Sequence, residues 1–118
     1  MNDKGILLHV SGADAAGVEA GIRAAQNAGA CLPNVRIDLV VQGPCVAFLR
    51  AGSVLEAELA ALPEQAGQGR HVHVLACGNS MRSAGMEADD LCRDVSMVPA
   101  AVAHLAVRQF DGWAYVRV

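Results

Sequence analysis

The chain has 118 residues, 53% of them hydrophobic and only 18% charged, with a formal net charge of −3. That length supports one domain, residues 1–118, with a core of its own and no need for disulfides or metal. An acidic balance without a basic stripe, and with few aromatic residues, argues against nucleic acid as a partner.

No segment has the uninterrupted apolar length to span a bilayer, so no membrane role is expected. Residues Met1–Gly5 lack the basic-then-apolar pattern of a signal peptide. The four cysteines, Cys31, Cys45, Cys77 and Cys92, are scattered without a C-x-x-C pair. A chain able to build its own core gives little reason to expect disulfides, so a cytoplasmic location is the simplest expectation.

Ile6–Val10 reads as the first strand, ended by Ser11–Asp14, with Asp14 as N-cap. Val18, Ile22 and Ala25 recur at helical spacing, and Asn27-Ala28-Gly29 is expected to end that helix. Ile37–Val41 is a second strand, closed by Gln42-Gly43-Pro44, with a short helix over Cys45 to Arg50. Ser53 and Glu56 have capping-box spacing before a Leu55, Leu59, Leu62 stripe. Pro63 and the Gly67–Gly69 loop should separate that helix from the next strand, Val72–Ala76. Beyond Cys77 a short helical turn and an acidic irregular stretch, Met86–Asp94, precede a fourth strand, Val95–Val98. Pro99 is expected at the first position of a helix carrying Val102, Leu105, Ala106 and Phe110. Asp111-Gly112 should stop it, and Tyr115–Val118 suits an edge strand.

Strands alternating with helices imply a three-layer α/β/α sandwich around a mainly parallel five-stranded sheet, with flavodoxin-like layering. Right-handed crossovers put every strand's C-terminal end on one edge, where open α/β sheets bind ligands. Ser11–Asp14, Gln42–Cys45, Cys77–Met81 and Val98–Ala100 should all lie there.

Cys77 is the residue most suggestive of chemistry. An apolar strand stops at this thiol, and Gly78-Asn79-Ser80 opens the next helix. Free N–H groups there favour a thiolate, while a strand end places the thiol where a donor can reach it. The competing reading is an inert, packed strand-end cysteine. The other cysteines lack an activating motif: Cys31 and Cys92 fall in loops, and Cys45, though it follows Gly43-Pro44, reads as packing. His73 starts on the same sheet face as Cys77 but about 13 Å away along the strand, and His71 is farther. His9 is nearer and reads as a satisfied core histidine; His104, mid-helix, as facing solvent or a neighbouring subunit. There is no P-loop, no complete dinucleotide fingerprint and no G-x-S-x-G elbow. Histidines and cysteines do not cluster at zinc spacing, so no metal is expected.

Taken in order, Ala76-Cys77-Gly78-Asn79-Ser80-Met81, Asp90-Leu91, Val98-Pro99-Ala100-Ala101-Val102 and Gln109–Val116 resemble the DsrE/DsrF-like family of small sulfur-relay proteins, in its uncharacterised single-domain branch. Val41-Gln42-Gly43-Pro44 is similar to a segment that usually carries histidine where Gln42 stands. Glutamine can hydrogen-bond but does not exchange a proton near neutral pH. The resemblance implies homotrimers or hexamers, and a cysteine that accepts sulfur as a persulfide and passes it to a partner thiol. The matching thiol is Cys77.

The reading that follows is a sulfur carrier or sulfurtransferase-like protein with Cys77 as nucleophile and persulfide holder. Gly78, Asn79 and Ser80 would stabilise its anion, Gly12 would stand in the opposite wall, and Gln42 and Gly43 would complete the binding edge. No cofactor is called for, and the partners would be a sulfur-donor or acceptor protein and further copies of the chain. The alternative is a non-enzymatic oligomeric module that binds a small anion or a protein partner at the same edge. In either case Trp113, the largest side chain available to an aliphatic core, should be largely buried.

Overall fold

The computed structural model describes residues 4–65 and 72–118. Five strands, β1 (Gly5–Ser11), β2 (Arg36–Gln42), β3 (Val72–Cys77), β4 (Val95–Val98) and β5 (Ala114–Arg117), form one sheet in the order β4-β3-β2-β1-β5. Every pairing is parallel. The helices are α1 (Ala15–Cys31), α2 (Glu56–Gln65), α3 (Gly78–Ser83) and α4 (Ala101–Phe110), with 3-10 turns at Pro44–Leu49 and Ala88–Asp90. The expected α/β sandwich with a five-stranded parallel sheet is therefore present.

The handedness rule explains how the layers are filled. From β1 to β4 the chain steps along the sheet in one direction, so right-handed crossovers send α1, α2 and α3 to one face. The step from β4 to β5 runs back past β1, and α4 goes to the other face. The two cores agree with this. Val18, Ile22, Leu59, Leu62 and Met81 pack with Val10, Leu39 and Val41 in the larger core. Ala101, Leu105 and Trp113 pack with Leu7, Val40, Leu75 and Cys77 in the smaller one. Alternation along each strand divides its side chains between the two faces.

Several local expectations are corrected. Helix α1 does not end at Asn27-Ala28-Gly29 but continues to Cys31, because Gly29 extends the buried stripe of Val18, Ile22 and Ala25. Cys31 is thus helical rather than in a loop. Asp14 stands at the N-cap position without a side-chain capping bond. Ser53 and Glu56 do not form a reciprocal box: Ser53 Oγ accepts from Leu55 N–H at 3.2 Å, while Glu56 Oε1 takes Gly52 N–H at 3.0 Å. Pro63 lies within α2 near its end, where a missing N–H costs one intrahelical bond. Gly67–Gly69 and His71 lie outside the described residues. Pro99 precedes α4 instead of opening it, since Ala100 is the N-cap.

The α4 stripe also differs from expectation. Ala101 and Leu105 are its buried residues, whereas Val102 and Phe110 are exposed, Phe110 by 85%. A helix that crosses the sheet with two buried contacts leaves the rest of its apolar side chains outside. Trp113 is buried as expected, at 5% exposure. A Cβ at Gly5 would overlap its indole ring, so only glycine lets the ring lie against β1.

Candidate functional site

Cys77 is the last residue of β3 and the N-cap of α3. Its register partner is Val98, the last residue of β4. The chain leaves β3 toward the α1 face and leaves β4 toward the α4 face. The ends of these two strands therefore flank the topological switch point, where open α/β sheets form a ligand crevice. Gly78 permits the close approach there: a Cβ would stand 3.0 Å from the carbonyl oxygens of both Val98 and Pro99.

The thiol faces the α4 side. Ala101 N–H, at the start of α4, donates to Cys77 Sγ at 3.4 Å. Burial pushes the Cys77 pKa up, but the amides of Ser80, Ala101 and Asn79 and the hydroxyl of Ser80 outweigh it and bring the value below that of an ordinary thiol. Two helix starts thus act on one sulfur. Burial dominates at the other core cysteines and raises both Cys45 and Cys92. Cys45 Sγ donates to Gln42 O at 3.2 Å and Cys92 Sγ to Arg50 O at 3.3 Å, the inert packing that the sequence suggested for Cys45. Cys92 lies in a loop but is buried in the larger core.

Accessibility is where Cys77 departs from expectation. The strand end does place it at the rim, yet only 2% of its surface is exposed, because the beginning of α4 and Val98 lie over it. The crossover that acidifies the thiol also covers it.

Of the other candidates, Ser80 and Gly43 join Cys77 directly. Ser80 Oγ accepts Gly43 N–H at 2.8 Å and bonds to the Cys77 sulfur. Gly43, at φ 88°, has the left-handed backbone that glycine tolerates, and a Cβ would approach Gly12 O to 2.9 Å. Gly12 is tied to this loop through main-chain bonds, its N–H to Gln42 O at 3.3 Å and its carbonyl to Cys45 N–H at 2.9 Å. It braces the wall and does not touch the thiol. Asn79 contributes its amide to Cys77, while its side chain accepts from Arg82. The Gln42 side chain turns to His9, with Oε1 2.7 Å from His9 Nε2. A cleft of about 280 Å³, lined by Gly43, Pro44, Ser80, Ser83 and Ala84, opens beside Ser80.

His9 is buried, and Tyr115 Oη lies 2.6 Å from its Nδ1, so it is the satisfied histidine that the sequence suggested. His73 is exposed. His104 does not simply face solvent: its side chain is only partly exposed and its Nε2 bonds Asp38 Oδ2 at 2.7 Å, because α4 lies across the middle of β2. Ala101 was missed by sequence reasoning. Its signal was the Pro99-Ala100-Ala101 helix start directly after β4, the strand that ends beside Cys77. Among the described residues no group of histidine, cysteine and carboxylate side chains could hold a metal ion. No helix among them is long and apolar enough to cross a membrane.

Comparison with known proteins agrees with this fold. MTH1491, a protein of unknown function from Methanobacterium thermoautotrophicum, is 34% identical, with a TM-score of 0.85 covering 98% of this chain and 100% of that one. The ychN protein of E. coli (18% identity, TM-score 0.74, 100% of both chains) shares the fold. So does BT1422, a conserved protein of unknown function from Bacteroides thetaiotaomicron (15% identity, TM-score 0.72, 99% of this chain and 96% of that one). No match is found among curated proteins. The model of the DsrE/DsrF-like family matches residues 7–118, nearly the whole chain, and the protein belongs to that family.

Proposed function

We propose that this protein is a cytoplasmic sulfur carrier of sulfurtransferase type, holding a persulfide on Cys77. The observation that carries the reading is the convergence of the α3 amides, the Ser80 hydroxyl and Ala101 N–H on one thiol, lowering its pKa while Cys45 and Cys92 are raised. A thiolate is the nucleophile that sulfur transfer needs.

In the proposed step the Cys77 thiolate attacks the outer sulfur of a donor persulfide, R–S–SH. A bond forms between Cys77 Sγ and that sulfur, and the R–S bond breaks. The donor's inner sulfur leaves with the bonding pair as the thiolate R–S⁻, and Cys77 becomes Cys–S–SH. The negative charge that began on the Cys77 thiolate departs on R–S⁻ and sulfur oxidation states are exchanged evenly, so no oxidant, reductant or cofactor takes part. Transfer to an acceptor thiolate repeats the step in reverse. Because Cys77 is covered, the donor gains access when the start of α4 moves off the rim. In the single chain only Ala101 and Leu105 of that helix are buried, and the amides of Ser80 and Asn79 and the Ser80 hydroxyl stay with the thiol when Ala101 N–H is withdrawn.

Incubation with a sulfane-sulfur donor, followed by mass spectrometry of the intact native protein, tests the reading. One added sulfur atom on Cys77, absent from Cys77→Ser, is the expected result. Addition at another cysteine, or none, overturns it.

A second reading has its own support in the cleft beside Ser80. There the protein would be a non-enzymatic oligomeric module, binding a small anion or a protein partner at this edge. That reading requires no reactive Cys77, so the same experiment separates the two. In both readings we propose a homotrimer or a hexamer built from trimers. Val102, Val107 and Phe110 on α4 and Tyr115 and Val116 on β5 are exposed and would be covered by neighbouring copies.

A further inference from the structure

A line of polar side chains, Tyr115, His9 and Gln42, runs along the sheet from β5 through β1 to β2, the strand next to that of Cys77. Gln42 ends β2 as Cys77 ends β3, and the β2–β3 register runs to Val41 opposite Ala76, so the next step brings Gln42 beside Cys77. Val40 and Leu75 belong to the α4-side core, and alternation puts Gln42 and Cys77 on that same face. Neighbouring strands lie about 4.8 Å apart, so the two residues are lateral neighbours.

The orientation of the Gln42 carboxamide is set from β1 and β5. Its Oε1 lies 2.7 Å from His9 Nε2, and an amide oxygen only accepts, so His9 carries its proton on Nε2. The bare Nδ1 of that tautomer accepts from the Tyr115 hydroxyl at 2.6 Å. His9 is buried with both ring nitrogens engaged, which locks the order Tyr115 to His9 to Gln42. The oxygen end of Gln42 is thereby committed. Its NH2 end has no protein partner among the described residues and keeps two donors unspent.

We propose that Gln42 is the hydrogen-bond donor that receives the negative charge of sulfur bound at Cys77, with His9 and Tyr115 as positioning residues acting through it. The outer sulfur of a persulfide lies about 2 Å beyond Sγ. The inner sulfur already has Ala101 N–H and Ser80, and the outer one needs a donor of its own. A carboxamide NH2 donates whatever the pH, so the site favours the ionised persulfide Cys–S–S⁻, formed when Cys–S–SH loses its proton, over the neutral form. This rests on the sulfur-carrier reading and adds to it the charge state in which the bound sulfur is held.

The test compares the alkylation of Cys77 by iodoacetate and by iodoacetamide. The same thiolate attacks both reagents, so the ratio of rates cancels the acidity and exposure of Cys77 and reports the preference for negative charge. Gln42→Leu should lower the iodoacetate-to-iodoacetamide ratio about tenfold, the loss of a hydrogen bond to a charged group. Gln42→Glu, which keeps both size and the bond to His9, should lower it further and covers the case in which the leucine variant fails to fold. Tyr115→Phe should lower it about threefold and shift the ¹⁵N signals of His9 away from the Nε2–H pattern. A ratio unchanged in the folded Gln42 variants, with Cys77 still alkylated, overturns the role of Gln42 and leaves the sulfur-carrier reading standing. A wild-type Cys77 that neither reagent modifies overturns both.

Discussion

The carboxylate of Asp38, 3% exposed at the middle of β2, is bonded by His104 Nε2 from the middle of α4 at 2.7 Å. Arg108 Nε approaches the same oxygen at 4.0 Å, and the Arg108 guanidinium also lies over Trp113, 4.7 Å from the ring centroid. A helix with two buried apolar residues is thus fastened by a polar clamp. Removing one partner of a buried pair leaves the other uncompensated, and Asp38→Ala should destabilise the protein by about 3 kcal/mol. Urea unfolding measures that loss. Because α4 covers Cys77, the same variant should alkylate faster at Cys77 while still folded. An unchanged rate would show that α4 stays seated without the clamp.

Trp113→Ala removes the largest side chain of the smaller core and should cost roughly 3–5 kcal/mol in thermal or urea unfolding. Gly5→Ala should be damaging for the complementary reason, since the new methyl group would occupy space filled by the indole. A loss below about 1 kcal/mol in Trp113→Ala would mean that the ring contributes little to this core.

The acidity of Cys77 gives a stability that depends on pH in a definite direction. Its folded pKa lies below the ordinary thiol value, with burial outweighed by the amides and the Ser80 hydroxyl. The stabilisation is present in full above the unfolded value and is lost as pH falls through the folded one. The stability difference between wild type and Cys77→Ser should therefore grow as pH rises across that interval, then level off. Limiting iodoacetamide at neutral pH should modify Cys77 ahead of Cys45 and Cys92, whose values are raised. If Cys45 reacts first in the native protein, Cys77 is not the nucleophile.

Light scattering coupled to gel filtration should give the mass of a trimer or a hexamer. Phe110→Asp, at a residue 85% exposed in the single chain, should shift that mass downward without lowering helix content. A clean monomer for the wild type at micromolar concentration would overturn the assembly.

The strands were legible because apolar runs bounded by turn residues are local signals, and right-handed crossovers then placed all their ends on one edge. Cys77, Gly78 and Ser80 could be read as one site because they are adjacent in the chain. Ala101 could not, since its contact with Cys77 depends on which face the β4–β5 connection takes, a matter of strand order. Asp38 and His104 were opaque for the same reason: each looked unremarkable on its own element, and only the crossing of α4 over β2 joins them. Local pattern also misjudged where α1 and α2 end: α2 runs on past Pro63, and at Gly29 the buried stripe of α1 overrode the usual stop signal.

The sulfur of Cys77 owes part of its character to an amide that lies 24 positions later in the chain. During synthesis the thiol emerges first, and its acidifying partner follows only after β4 has been made and α4 has turned back across the sheet. A chain stopped before Ala101 would keep a thiol without that amide. The acidity of Cys77 is therefore completed last, and under the proposed sulfur-carrier function an unfinished copy would be less able to take up sulfur.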